Sequence, residues 1–166
     1  RILFSQRAVV APYHGVSGFM FRIANLRSNQ LVEVEATVSL GWWEQTAKGR
    51  QRRFHELALE RKRVVFMPLH WVVVHPIDET SPLWGVTREQ FLASEAEILV
   101  LLTAVDETFE QAVHARSSYK FDEVAWGWKF KDPYVTGDEA TIAIDMRRLH
   151  DIEPAALPAP GARASA

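Results

Sequence analysis

The stretch from Leu31 to Trp42, LVEVEATVSLGW, decides the fold. Leaving Leu31 aside, Val32, Val34, Ala36, Val38, Leu40 and Trp42 take one face of an extended chain. Glu33, Glu35, Thr37, Ser39 and Gly41 take the other. A period of two is the period of a strand, whose successive side chains point to opposite faces. One face apolar and one polar describes a sheet lying on a core with its back in water.

Working outward, AVVAPY (8–13) and FMFRIANL (19–26) read as strands joined by the turn-like HGVSG. RFHELALER (53–61) alternates again, with Phe54, Leu57 and Leu59 as its apolar members, and AKGRQR (47–52) reads as a charged hairpin tip. WVVVHPI (71–77) and EILVLLTAV (97–105) are continuous apolar runs that suit central strands. Between them, TREQFLAS (87–94) carries Thr87 as a helix cap with Gln90 three residues on, which predicts one short helix. AVHARSSYKF, EVAWGWKF and ATIAID supply three more strands and MRRLHDI a closing helical turn. Many short strands with turn signals and one or two short helices define an all-β, antiparallel β-sandwich. The Pro/Ala-rich end, 151–166, reads as a mobile end or an extended strap.

Composition narrows the function. The 166 residues suit one domain, 48% apolar and 24% charged, with a net charge of −2 that offers no basic field for nucleic acid. The absence of cysteine removes disulfides, thiolate metal sites and cysteine nucleophiles together. The longest apolar runs, 64–74 and 98–105, fall short of the roughly 20 residues that span a bilayer. A chain opening on Arg1 rather than methionine reads as a piece of something longer.

Enzyme motifs fail one by one. HELALE would need histidine where Leu59 stands to make a metalloprotease helix. His14, His70, His75, His114 and His150 show no metal-ligand spacing, and Ser17 in GVSGF lies in a hairpin turn rather than a nucleophile elbow. The six tryptophans fit core packing or, alternatively, a sugar-stacking platform. KGRQRR and RKR (61–63) fit a solvated hairpin or a phosphate-binding patch. HPIDETSPLWG (75–85) holds acids and hydroxyls, yet Pro76 and Pro82 end a strand and Asp78, Thr80 and Ser81 cap turns, so it reads as a structural corner.

That corner also resembles the one in inward-rectifier potassium channels, H-x-ID-x-x-SPL followed by an aromatic residue. LFSQRAVVA is similar to the family's opening strand, FRIANLRSNQLVEVE to its R-x-x-NLR-x-x-x-LVE segment, and SSYKFDEVAWGWKF to SSY-x-x-x-E-x-x-WG. FHEL, REQF and HAR suit the prokaryotic branch. The resemblance covers residues 3–150 and implies an immunoglobulin-like sandwich, a regulatory rather than catalytic domain on the cytoplasmic side of a bacterial inner membrane. It further implies a homotetramer hung beneath its own transmembrane pore domain, potassium as permeant ion, and no cofactor, metal or nucleic acid. A free-standing β-sandwich ligand-binding module is the alternative, which an aromatic row exposed on one face would favour.

The resemblance also assigns residues. Glu33 takes the acidic position of the ion pathway, while Thr103 replaces an acid of strongly rectifying relatives, and RKR is basic where those carry further acids. Ala104, Val105, Asp106, Glu107, Thr108, Phe109 and Glu110 match the gating loop, held in relatives by an acid–arginine pair that here would be Glu107 and Arg116. Arg27, with Arg1 and Arg7 as neighbours, matches the site for anionic phospholipid head groups, to which arginine forks are suited.

Overall fold

The computed structural model describes residues 1–136 and 142–164. Along the chain run β1 (Ile2–Phe4), β2 (Ala8–Tyr13), β3 (Val16–Asn25), β4 (Leu31–Thr46), β5 (Gly49–Glu56), β6 (Arg63–Phe66) and β7 (His70–Ile77). The helix α1 (Arg88–Ala93) follows, then β8 (Glu97–Asp106), β9 (Gln111–Lys120), β10 (Val124–Trp126) and β11 (Trp128–Phe130). The chain closes with β12 (Tyr134–Thr136), β13 (Ile142–Ile144), a 3-10 turn at Met146–His150 and β14 (Ile152–Pro154).

The first sheet is built on β3, with β7 along one side, β1 and then β2 along the other, and β10 parallel to β2. The second runs β5-β4-β8-β9 with β6 also on β4. Phe19, Phe21, Ile23 and Val73 of the first sheet meet Val34, Ala36, Val38, Leu40, Ile98 and Leu102 of the second in one buried cluster. This is the expected all-β sandwich. Burial of these branched and aromatic side chains supplies its driving force, about 1.5–3 kcal/mol for each fully buried one. The expected helix forms with its capping box: Gln90 N donates to Thr87 Oγ1 at 3.1 Å and Thr87 N to Gln90 Oε1 at 2.9 Å.

Several details depart from the sequence reading. Leu31 is fully buried and Val32 only partly, because β4 breaks register against β8 between Val32 and Glu35. Val32 faces Val105 and Glu35 faces Thr103, so Glu33 and Val34 together oppose Ala104. That extra residue is a β-bulge, and Glu33 adopts a left-handed φ of 50° there. The strand expected at 53–61 begins earlier and stops at Glu56, with only Ala47 and Lys48 left as its hairpin tip. Phe54 is exposed rather than buried, its ring lying over Gly41, where a Cβ would come within 2.5 Å of it.

Of the two apolar runs, β8 is central but β7 is marginal, which is why Pro76 is tolerated inside it. The margin is covered by the chain at 58–60, where Glu60 N donates to Val74 O and His75 Nδ1 to Ala58 O. The corner after β7 is structural: Thr80 N donates to Asp78 Oδ1 and Leu83 N to Ser81 Oγ, whose hydroxyl donates to His75 Nε2. Burial holds the His75 imidazole below its usual pKa, against the pull of the Ala58 carbonyl and Asp78. The strand expected at 140–145 is present as β13; residues 140 and 141 lie outside those described, as do 165 and 166 of the tail.

Candidate functional site

The loops that the sequence singled out converge at one end of the sandwich. β3 ends at Asn25, and its side chain accepts the Arg27 backbone N–H at 2.9 Å, an Asx turn that swings the chain into loop 26–30. Leu26 N donates to Arg1 O at 2.8 Å, which ties the start of β1 to the same place. β8 arrives antiparallel and ends at Asp106, 1% exposed.

Asp106 is the hub. Its Oδ1 accepts the backbone N–H groups of Thr108 (2.9 Å) and Phe109 (3.2 Å), which fixes the turn at 107–110. Its Oδ2 accepts Arg27 Nη2 at 2.5 Å and Asn29 Nδ2 at 3.3 Å. Burial pushes this carboxyl up, but Arg27, the Phe109 N–H, Asn29 and the Thr108 N–H outweigh it and hold its pKa below the usual aspartate value. Glu107 N donates to Gln30 O at 3.2 Å, so turn and loop are joined through backbone as well.

The site residues distribute unevenly around this hub. Ala104, Val105 and Asp106 are still strand, and only Glu107, Thr108, Phe109 and Glu110 form the exposed turn. Within one chain Glu107 and Arg116 do not meet. Arg116 sits opposite Leu101, five steps along β9 from the Gln111–Asp106 row, roughly 17 Å away. Arg1 and Arg27 share the end of the sandwich, whereas Arg7 follows the far end of β1, where Phe4 pairs with Ile23. Antiparallel register separates it from the other two.

Glu33 is exposed at the bulge, next to an outward row formed by Glu35, Thr103 and His114. Arg63 Nε reaches Glu35 at 2.9 Å, and Lys62 lies 3.9 Å from the same carboxylate. The basic RKR segment therefore neutralises the neighbouring acid and leaves Glu33 without a counter-ion contact among the described residues. Sequence reasoning missed Asp106 as the partner of Arg27. An aspartate opening DETF was a legible turn signal, but the arginine 79 residues away was not.

The tryptophans form no single row. Trp71 is buried in the core, while Trp42 and Trp126 are half-buried against it. No helix among the described residues is long and apolar enough to cross a membrane.

Fold and site together define a two-sheet sandwich module whose ion-paired loops meet at one end. The chain belongs to the inward rectifier potassium channel C-terminal domain family, whose model matches residues 2–166. It is similar to inward rectifier potassium channel Kirbac3.1 of Paramagnetospirillum magnetotacticum, 41% identical over 152 residues, covering 91% of this chain and 52% of that protein. It is also 32% identical over 157 residues to inward rectifier potassium channel 4 of Mesocricetus auratus and of Homo sapiens, covering 90% of this chain and 34% of each. The chain thus spans about half the length of the bacterial relative and a third of the mammalian ones. It is a domain of an ion-channel family, not of an enzyme family.

Proposed function

We propose that this chain is the cytoplasmic pore and gating domain of a prokaryotic inward-rectifier potassium channel. In this reading four copies surround a common axis below their membrane pore and conduct potassium between them. The observation that carries the coupling is the Arg27–Asp106 pair, which joins the loop matched to lipid binding to the turn matched to the gate.

Lipid and Asp106 compete for Arg27. Arg27 keeps 30% of its side chain exposed, enough for a polyanionic head group to reach it. Phosphate oxygens that draw the guanidinium away leave a buried carboxylate that also caps the 107–110 turn. Lipid binding and the closed pair then exclude each other, so the lipid biases the turn by the difference. In a chimera of this domain with the pore of the Paramagnetospirillum relative, reconstituted in liposomes, Arg27→Ala abolishes the effect of phosphatidylinositol bisphosphate on potassium flux. Arg27→Lys retains part of it. An unchanged lipid response in Arg27→Ala would overturn the assignment.

Glu33 serves the ion pathway in the same reading. Its carboxylate, without a counter-ion contact among the described residues, concentrates cations when repeated around an axis. In the same chimera, Glu33→Gln lowers single-channel conductance roughly two-fold at low salt, with the difference shrinking as salt screens it. Equal conductances would remove Glu33 from the pathway. The exposed side chains Leu99 and Leu101 of β8, and Phe54 two strands away on the same sheet, suit burial against a neighbouring subunit.

A further inference from the structure

A row of outward side chains crosses the second sheet. Arg63 of β6 pairs with Glu35 of β4, Glu35 with Thr103 of β8, and Thr103 with His114 of β9. Val64 packs on the core, and Arg63, its neighbour on β6, points the other way as strand alternation requires. The Arg63 side chain is 77% exposed, yet its Nε donates to the Glu35 carboxylate at 2.9 Å. Lys62 stands 3.9 Å from Glu35 but 3.3 Å from Glu56, so it is shared between two acids. Glu33 lies at the bulge beside this row. With Glu35, Arg63, Val64 and Val65 it lines one recess of about 450 Å³.

We infer that Arg63 limits the conductance of the ion pathway by cancelling the charge of Glu35. The inference rests on the proposed reading that this outward face lines the pathway, and it names what sets the charge there. Of the two carboxylates in the recess, Glu35 carries a guanidinium placed on it by cross-strand register, and Glu33 does not. A cation fixed beside an anion leaves a dipole, whose field falls off faster than that of a single charge. A passing potassium ion therefore feels mainly Glu33. Backbone pairing from Val32–Phe66 to Glu35–Arg63 holds β6 on β4, so the position of Glu35 does not depend on the ion pair. An ion pair this exposed also contributes little to stability. Neutralising Arg63 thus uncovers a second carboxylate on the pathway and leaves the fold intact.

Single-channel conductance of the same chimera tests this at low salt, where fixed charges are least screened. Arg63→Gln should raise conductance roughly 1.5-fold and Arg63→Glu further, with both gains shrinking as salt rises. Adding Glu35→Gln to Arg63→Gln should reverse the gain, because it removes the carboxylate that the first substitution uncovers. Thermal unfolding of this chain carrying Arg63→Gln should stay within about 3 °C of the unsubstituted chain, which excludes misfolding as the cause. Glu33→Gln, measured alongside, separates the inference from the reading beneath it. If Glu33→Gln lowers conductance while Arg63→Gln leaves it unchanged or lowers it, the face lies on the pathway and the cancellation is wrong. If neither substitution changes conductance, the face is off the pathway and both fall. A gain in Arg63→Gln that persists when Glu35→Gln is added belongs to the bulk of the arginine rather than its charge, and overturns the inference as well.

Discussion

Arg22→Met lowers the unfolding temperature of this chain by roughly 10 °C, with little change in its strand content at low temperature. Arg22 lies within β3, is 1% exposed, and heads the fully buried side chains by volume. Its Nη1 donates to Lys131 O at 2.7 Å, and its Nη2 to Asp151 O at 3.1 Å and Arg148 O at 3.3 Å. The guanidinium lies 4.4 Å over the Phe130 ring. Burial pushes its pKa down to about 10, with Asp151 and Asp132 pulling it back, so it stays charged at neutral pH.

Methionine fills much of the same space and removes the cost of desolvating a charge, which by itself would stabilise. The three carbonyls remain, however, and lose their donor, at about 1–2 kcal/mol each. The carbonyl side wins, and the net loss is about 3 kcal/mol. Arg22→Lys recovers only part of it, because one ammonium cannot reach three carbonyls as a planar fork does. Thermal unfolding by circular dichroism measures the shift. A fall under about 3 °C in Arg22→Met would mean that the chain from Phe130 to Asp151 is held by something else.

Asp106→Ala frees the 107–110 turn. The Thr108 and Phe109 amides lose their acceptor, and Arg27 loses its counter-ion inside the same end of the fold. Hydrogen exchange at those two amides should accelerate at least ten-fold, while the amides of central β8 keep their protection. Asp106→Asn retains an acceptor for the turn but not the charge, and should fall between.

Acid has the same effect in the unsubstituted chain. The folded carboxyl has a depressed pKa, so its contribution is complete above the unfolded aspartate value, near 3.9, and is lost as pH falls through the lower folded value. The turn therefore loosens below about pH 4 in the wild type and shows no such acid step in Asp106→Ala. Turn amides equally protected in both chains would detach Asp106 from the turn.

The strands were legible because their signal is local. Alternation in LVEVEATVSLGW, the Thr87–Gln90 box and the proline-bounded corner are each written within about a dozen residues, and each is present in the fold. The family was legible for a related reason, since its motifs are short, co-linear and spread over most of the chain. Glu33 as an exposed strand residue was readable too. Its place in a bulge was not, because a bulge is defined by the register of two strands, and the partner β8 lies more than sixty residues further on.

What only the tertiary structure decided is which polar groups lose water together. Nothing local in FMFRIANL marks Arg22 for burial; the residues that cover it, Phe130, Lys131, Arg148 and Asp151, lie more than a hundred positions further on. Arg27 and Asp106 are 79 residues apart, and no local pattern links them. The tail could have been mobile by composition; Trp84 and the Gly161 turn made it a strap. Local sequence sets backbone preference and the direction of side chains. Burial, and with it the strength of every charge and hydrogen bond at these sites, depends on what the rest of the chain lays on top.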